Sequence, residues 1–198
     1  LLMSQRSVPL PYEDPVSYGV NAAEPIVSAM SPRERDSIEM VITCTESGID
    51  FGKSMSTYIH EMLGLSRRCR LFEVKNACFS GTAGLMMAAS YALSSGAKAL
   101  VVATDLARFT AADAGEALQS DWSFAEPSGG AGAIAMLVSQ QPHVLRLDPG
   151  AYGLYSYEVM DTCRPVPDSE AGDADLSLLS YLDCCENAYR DYASRVAG

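Results

Sequence analysis

Short β-branched runs separated by helical runs are the feature that most limits what this chain can become. "IEMVITCT" (38–45), "CRLFEVKNA" (69–77) and "KALVVATD" (98–105) each read as a strand, and "AGAIAMLVSQ" with "HVLRLDP" (131–149) as two more. Between them "SMSTYIHEMLG" (54–64) and "FSGTAGLMMAASYALSSG" (79–96) read as helices closed by Gly64 and Gly96. Residues 13–30 offer Asp14 as an N-cap and Pro15 at the first helical position, with Pro25 as an expected kink. Residues 175–196 carry Leu178, Tyr181, Leu182, Cys185, Ala188 and Tyr189 at the spacing of an amphipathic helix. Residues 107–130 read as irregular and 150–175 as loop-rich. Strands alternating with helices predict α/β layers.

The 198 residues suit one domain, or one half of a duplicated fold, and 48% hydrophobic content supplies a core. A formal net charge of −11 disfavours a nucleic-acid binder. No apolar run reaches membrane-spanning length and no signal-peptide pattern is present, so no membrane partner and a cytoplasmic location are expected. The six cysteines (44, 69, 78, 163, 184 and 185) form no C-x-x-C pair. Reduced thiols are expected, and with only two histidines a zinc site is not. The chain opens on "LLMSQRSVPLPYEDP" and stops just after a helical pattern, which suggests a piece of a longer product.

Three stretches could carry chemistry. In "KNACFSGTAGL", Cys78 sits between a strand and a helix rich in Gly and Ala. A helix N-terminus favours a thiolate, and small neighbours admit a substrate to a thioester-forming nucleophile with an amide oxyanion site. The local pattern leaves a buried structural cysteine equally open. Glu46, where a buried strand meets a Gly-containing loop, could serve as a base, although alone it reads more simply as a solvated loop glutamate. "PSGGAGAIAML" is a Gly-rich turn entering a strand, with Ser128 as a possible ligand contact; it lacks both nucleotide-loop patterns.

Together these stretches resemble 3-hydroxy-3-methylglutaryl-CoA (HMG-CoA) synthases. "NACFSGTAGL" resembles their "NACYGGTAAL", "TESGIDFGKS" their glutamate loop, "EPSGGAGAIAMLV" their "RPTGGAGAVAMLI", and "DLSLLSYLDCC" their "GKLSIQCYLSAL" helix. Order and separations agree over nearly the whole chain. "PYEDPVSYGVNAA", "DWSFAEPSGGAGA" and "DTCRPVPDSEAGDADLSLLSYLDCCENAY" are most similar to the HMG-CoA synthase-like enzymes of polyketide β-branching cassettes.

The resemblance implies a thiolase-like layered αβα fold, with residues 1–198 forming most of the N-terminal half and lacking the first strand and the C-terminal half. It implies Cys78 as the acyl-carrying nucleophile, Glu46 as general acid/base, and Ser128 and Ser177 as substrate contacts. The family's catalytic histidine lies in a later "FHxPF"-like segment that this chain does not contain; His60 and His143 are expected to be structural. Phe79 and Ser80 replace Tyr and Gly beside the nucleophile, "MDTCRP" replaces "YDFYKP", and 109–124 reads as a lengthened loop, so donor and acceptor are less constrained than reaction type.

The implied reaction is an acyltransferase condensation of an acetyl thioester with a β-ketoacyl thioester. It uses no metal or redox cofactor, draws its substrates from acyl-carrier proteins or CoA thioesters, and runs in a homodimer. An acidic chain meeting acidic carriers would need a basic patch; "SRRCR" is the only dense one, and it reads more simply as a solvated turn. Rivals are a primary-metabolism HMG-CoA synthase using free CoA esters, ketoacyl synthase III, which the Glu46 loop argues against, and a non-catalytic fragment or scaffold needing a second polypeptide.

Overall fold

The computed structural model describes residues 4–106, 129–166 and 169–197. They fall into two compact units, 4–106 with 129–145, and 146 onward.

In the first unit Asp14 starts helix α1 (Pro15–Ser28) through a capping box: its carboxylate accepts from the Ser17 amide at 2.9 Å. Pro25 lies inside α1, which runs on to Ser28. A short helix, α2 (Pro32–Arg35), is capped by Ser31 and Glu34. Then follow β1 (Ile38–Cys44), α3 (Met55–Met62), β2 (Arg70–Val74), α4 (Ser80–Ser95), β3 (Lys98–Leu106) and β4 (Ala131–Val138). Gly64 (φ 60°) and Gly96 (φ 76°) take the left-handed conformation that stops α3 and α4.

The strands form one sheet in the order β2-β1-β3-β4, with β1 parallel to β2 and β3, and β4 antiparallel to β3. Parallel strands joined by helices are covered on both faces, which is why β1 and β3 are apolar almost throughout. On one face Val16, Ala23 and Val27 of α1 and Met55 and Ile59 of α3 pack on Ile38, Val41, Leu100 and Val102. On the other, Ala88 of α4 packs with Met40, Ile42, Cys44, Ala99 and Val101. A register shift between Ile38 and Met40 explains why Ile38 and Val41, three apart, share a face. Fully burying one such side chain contributes about 1.5–3 kcal/mol. Thr104 Oγ1 donates to Pro15 O at 2.7 Å and pins the start of α1 to β3.

The second unit pairs β5 (Thr162–Val166) with β6 (Ser169–Gly172) in an antiparallel hairpin, followed by the long helix α5 (Ala174–Val196). Asp173 caps α5, accepting from Leu176 N at 2.9 Å. The preceding loop lies on α5: Leu154 N donates to Asp191 at 2.8 Å, and the Arg195 guanidinium sits 4.7 Å from the Tyr152 ring centre.

Three expectations change. β2 ends at Val74, because the chain turns at 75–79 with Ala77 at φ 43°. "HVLRLDP" forms no strand; Val144 and Leu145 are exposed between Pro142 and Pro149, so His143 does not open one. The loop-rich 150–175 holds the β5–β6 hairpin, whose Pro-rich, polar sequence gives little strand signal. Among the described residues no helix is long and apolar enough to cross a membrane, and no group of three or more His, Cys, Asp or Glu could hold a metal.

Candidate active site

Because β1 and β2 are parallel, the segments that follow them leave the same end of the sheet, and they carry Glu46 and Cys78. The ladder pairs Cys44 with Val74, so Glu46 lies two residues beyond one partner and Cys78 four beyond the other. The turn before α4 is tight: Phe79 N donates to Asn76 O at 3.0 Å and Ser80 N to Ala77 O at 3.1 Å. Ala77, at φ 43°, takes a conformation that costs a non-glycine residue energy, and so turns the thiol out at the head of the helix. The thiol faces the half-buried Glu46 carboxylate closely enough for that group to act on its ionisation.

This pairing reverses one expectation. Cys78 precedes the N-cap Phe79, and its pKa is raised. Partial desolvation of the sulfur is the main cause, followed by the charge of Glu46 and its hydrogen bond; the Cys78 amide partly offsets them. The thiol is therefore held protonated against a carboxylate rather than pre-ionised by the helix. The residue as a whole is exposed, so its sulfur stays within reach of a substrate.

Asp105, at the end of β3, holds the Glu46 loop. Its Oδ1 accepts from Thr45 Oγ1 (2.9 Å), Glu46 N (2.6 Å), Ser47 N (2.9 Å) and Ser47 Oγ (2.6 Å), and Ser47 Oγ accepts in turn from Leu106 N at 2.9 Å. Sequence reading missed this carboxylate; an acidic residue closing the buried run "VVATD" was the available signal. A shallow cleft of about 340 Å³ opens beside it, lined by Ala103, Thr104, Asp105, Gly130 and Gly132 among others.

Beneath the nucleophile, α4 meets the sheet through Ser80, Gly84, Ala88 and Ala92, one small residue per turn. A Cβ on Gly84 would collide with Cys44 Sγ and lie 3.3 Å from Ile42 Cγ2, so glycine is what lets α4 sit this close.

Ser128 lies outside the described residues. Ser177 is exposed in the first turn of α5, in the second unit, its amide donating to Asp173 O at 2.9 Å. His60 is a packing residue, buried with Nε2 at 2.8 Å from Ser66 O. The basic turn opens β2, at the other end of the sheet from Cys78. A five-residue strand puts about 16 Å between those ends. Arg70 there is engaged by Tyr91, whose hydroxyl donates to Glu39 at 3.0 Å. All six cysteines are free thiols.

Residues 25–143 match the family described as hydroxymethylglutaryl-coenzyme A synthase, N terminal. The chain belongs to the HMG-CoA synthase family. It is 65% identical over 201 residues to the polyketide biosynthesis 3-hydroxy-3-methylglutaryl-ACP synthase PksG of Bacillus subtilis (strain 168), covering 100% of this chain and 48% of PksG. To the hydroxymethylglutaryl-CoA synthase of Enterococcus faecalis it is 37% identical over 154 residues, covering 77% of this chain and 37% of that protein. The crystal structure of the curacin biosynthetic pathway HMG synthase in complex with acetyl donor-ACP superposes with a TM-score of 0.89 at 66% identity, over 96% of this chain and 45% of that one. The thiolase-like α/β fold expected of an HMG-CoA synthase relative is therefore present, and the chain spans about half the length of the relatives it matches.

Proposed function

We propose that this chain carries the nucleophile and base of a polyketide β-branching HMG synthase, an acyltransferase that condenses an acetyl thioester with a β-ketoacyl thioester. The observation that carries this reading is the Cys78 thiol set against the Glu46 carboxylate where the segments after two parallel strands leave the same end of the sheet. Cys78 attacks the acetyl thioester carbonyl, the donor thiol leaves with a proton, and an acetyl-cysteine forms. With the sulfur acylated, the thiol proton is gone and the Glu46 carboxylate faces the acetyl methyl, from which it removes a proton. The enolate carbon bonds to the acceptor's β-carbon, the resulting alkoxide takes up a proton, and water cleaves the thioester to a carboxylate and the Cys78 thiol. No metal or redox group enters these steps. The family's histidine, which this chain does not contain, completes the site.

Carrier-protein substrates are favoured over free CoA esters by two similar proteins, a 3-hydroxy-3-methylglutaryl-ACP synthase and an HMG synthase crystallised with acetyl donor-ACP. Ser128 and Ser177 line the substrate path in this reading, residues 1–198 form most of the N-terminal half, and the protein works as a cytoplasmic homodimer. The test is mass spectrometry of the full-length protein after incubation with acetyl-carrier protein or with acetyl-CoA. An acetyl group on Cys78, gained faster from the carrier, supports the reading. No adduct from either donor refutes it, and a faster gain from CoA points to the primary-metabolism activity.

A further inference from the structure

The loop that carries Glu46 is held at two places, and the second belongs to the strand that delivers the nucleophile. Glu73 lies on β2 opposite Thr43, five residues before Cys78. Its Oε2 accepts from Met55 N, the first helical amide of α3, at 2.7 Å, and from Thr43 Oγ1 at 3.4 Å. Its Oε1 underlies the middle of the loop: a Cβ on Gly48 would lie 3.3 Å from it. A carboxylate at a helix N-terminus satisfies an amide that would otherwise lack a partner and complements the helix dipole. Asp105 fixes the start of the loop to β3, on the far side of β1. Glu73 fixes its end to β2 and lies beneath its middle. We infer that Glu73 is a positioning residue, setting the distance between Glu46 and Cys78 by tying the base's loop to the nucleophile's strand. This rests on reading Glu46 and Cys78 as the reacting pair.

The test uses the full-length protein and two readouts, the pH profile of Cys78 alkylation by iodoacetamide and the ratio of acetyl loading to condensation. Glu46→Gln serves as reference, because removing that charge lowers the Cys78 midpoint. Glu73→Ala, which frees the loop, is expected to move the midpoint most of the way to the Glu46→Gln value. It is also expected to cut condensation about tenfold with acetyl loading within about twofold, since a misplacement near 1 Å can cost up to about 10² in rate. Glu73→Gln keeps an acceptor for Met55 N and should leave both readouts near the parent. Gly48→Ala presses the same contact from above and should move both readouts in the Glu73→Ala direction, a second route if Glu73→Ala does not fold. An unchanged midpoint in Glu73→Ala, equal shifts in Glu73→Ala and Glu73→Gln, or a proportional loss of loading and condensation overturns the inference while the reacting pair stands. A Glu46→Gln midpoint equal to the parent overturns the pair, and this inference with it.

Discussion

At neutral pH the Cys78 thiol is more protonated than a free cysteine, because a partly desolvated sulfur facing the negative charge of Glu46 resists ionisation. A raised pKa means that the reactive thiolate grows in only above the usual thiol range. Glu46→Gln removes the charge, so the variant should alkylate faster at pH 7 and reach half-maximal rate at lower pH; a profile identical to the parent contradicts the pairing. The same variant in the full-length protein keeps a competent thiol and loses its base. It should accumulate acetyl-enzyme while condensation falls by about 10² or more, which quench-flow mass spectrometry resolves. If both fall together, Glu46 shapes the site without acting as base. Asp105 answers a different measurement. Asp105→Ala takes their shared acceptor from the hydroxyls of Thr45 and Ser47 and from the Glu46 amide, while the Ser47 amide keeps Thr45 Oγ1 at 3.0 Å. Buried donors cost about 1–3 kcal/mol each when stranded, and Thr45 is fully buried. A loss of at least about 2 kcal/mol in urea unfolding is expected; an unchanged midpoint would mean that water replaces the carboxylate freely.

Among the elements, α4 tolerates little added bulk on its sheet side. Gly84→Ala puts a methyl group into Cys44 Sγ, and overpacking of this kind costs about 1–3 kcal/mol. Thermal melts should show the loss, whereas Gly81→Ala, whose added carbon would lie 3.9 Å from Ala103 Cβ, should melt near the parent. This closeness explains what could be read from sequence. α1, β1, α3, α4 and β3 were legible because each carries its own signal: Asp14 and Pro15 at a start, Gly64 and Gly96 at stops, and β-branched runs between. "HVLRLDP" shows that an apolar run is not enough, since alternation makes a strand only where a neighbour offers an edge, and Pro142 and Pro149 bracket this one. The β5–β6 hairpin hid in a segment whose prolines and polar residues give little strand signal. Of the site, motif order marked Cys78 and Glu46. The sign of the Cys78 pKa was misread because a helix dipole is visible in a sequence, whereas a carboxylate folded against the sulfur is not. Asp105 and Glu73 act across strands, 59 and 18 residues from their amide partners, a range that local pattern does not reach.

For the whole molecule, α4 poses a question of exposure. Its sheet side is small and buried, while Phe79, Met86 and Leu93, spaced by seven, are 51%, 47% and 55% exposed on its outer side. A helix apolar on both sides is a helix that belongs in an interior. The 198-residue chain is expected to self-associate; light scattering against concentration should show growth that Met86→Glu with Leu93→Glu abolishes. A monomer at all concentrations would mean that the stripe is tolerated in water. The same helix also seals a sulfur. Cys44 is fully buried, with a pKa pushed up to about 11 by desolvation and by the charge of Asp105, and a Cβ on Gly84 would collide with its Sγ. A sulfur with no exposed surface waits on an opening of the structure around it, so modification of Cys44 timestamps that opening. That makes the thiol beside the reaction centre a built-in clock, ticking at the rate at which this half of the sheet comes open.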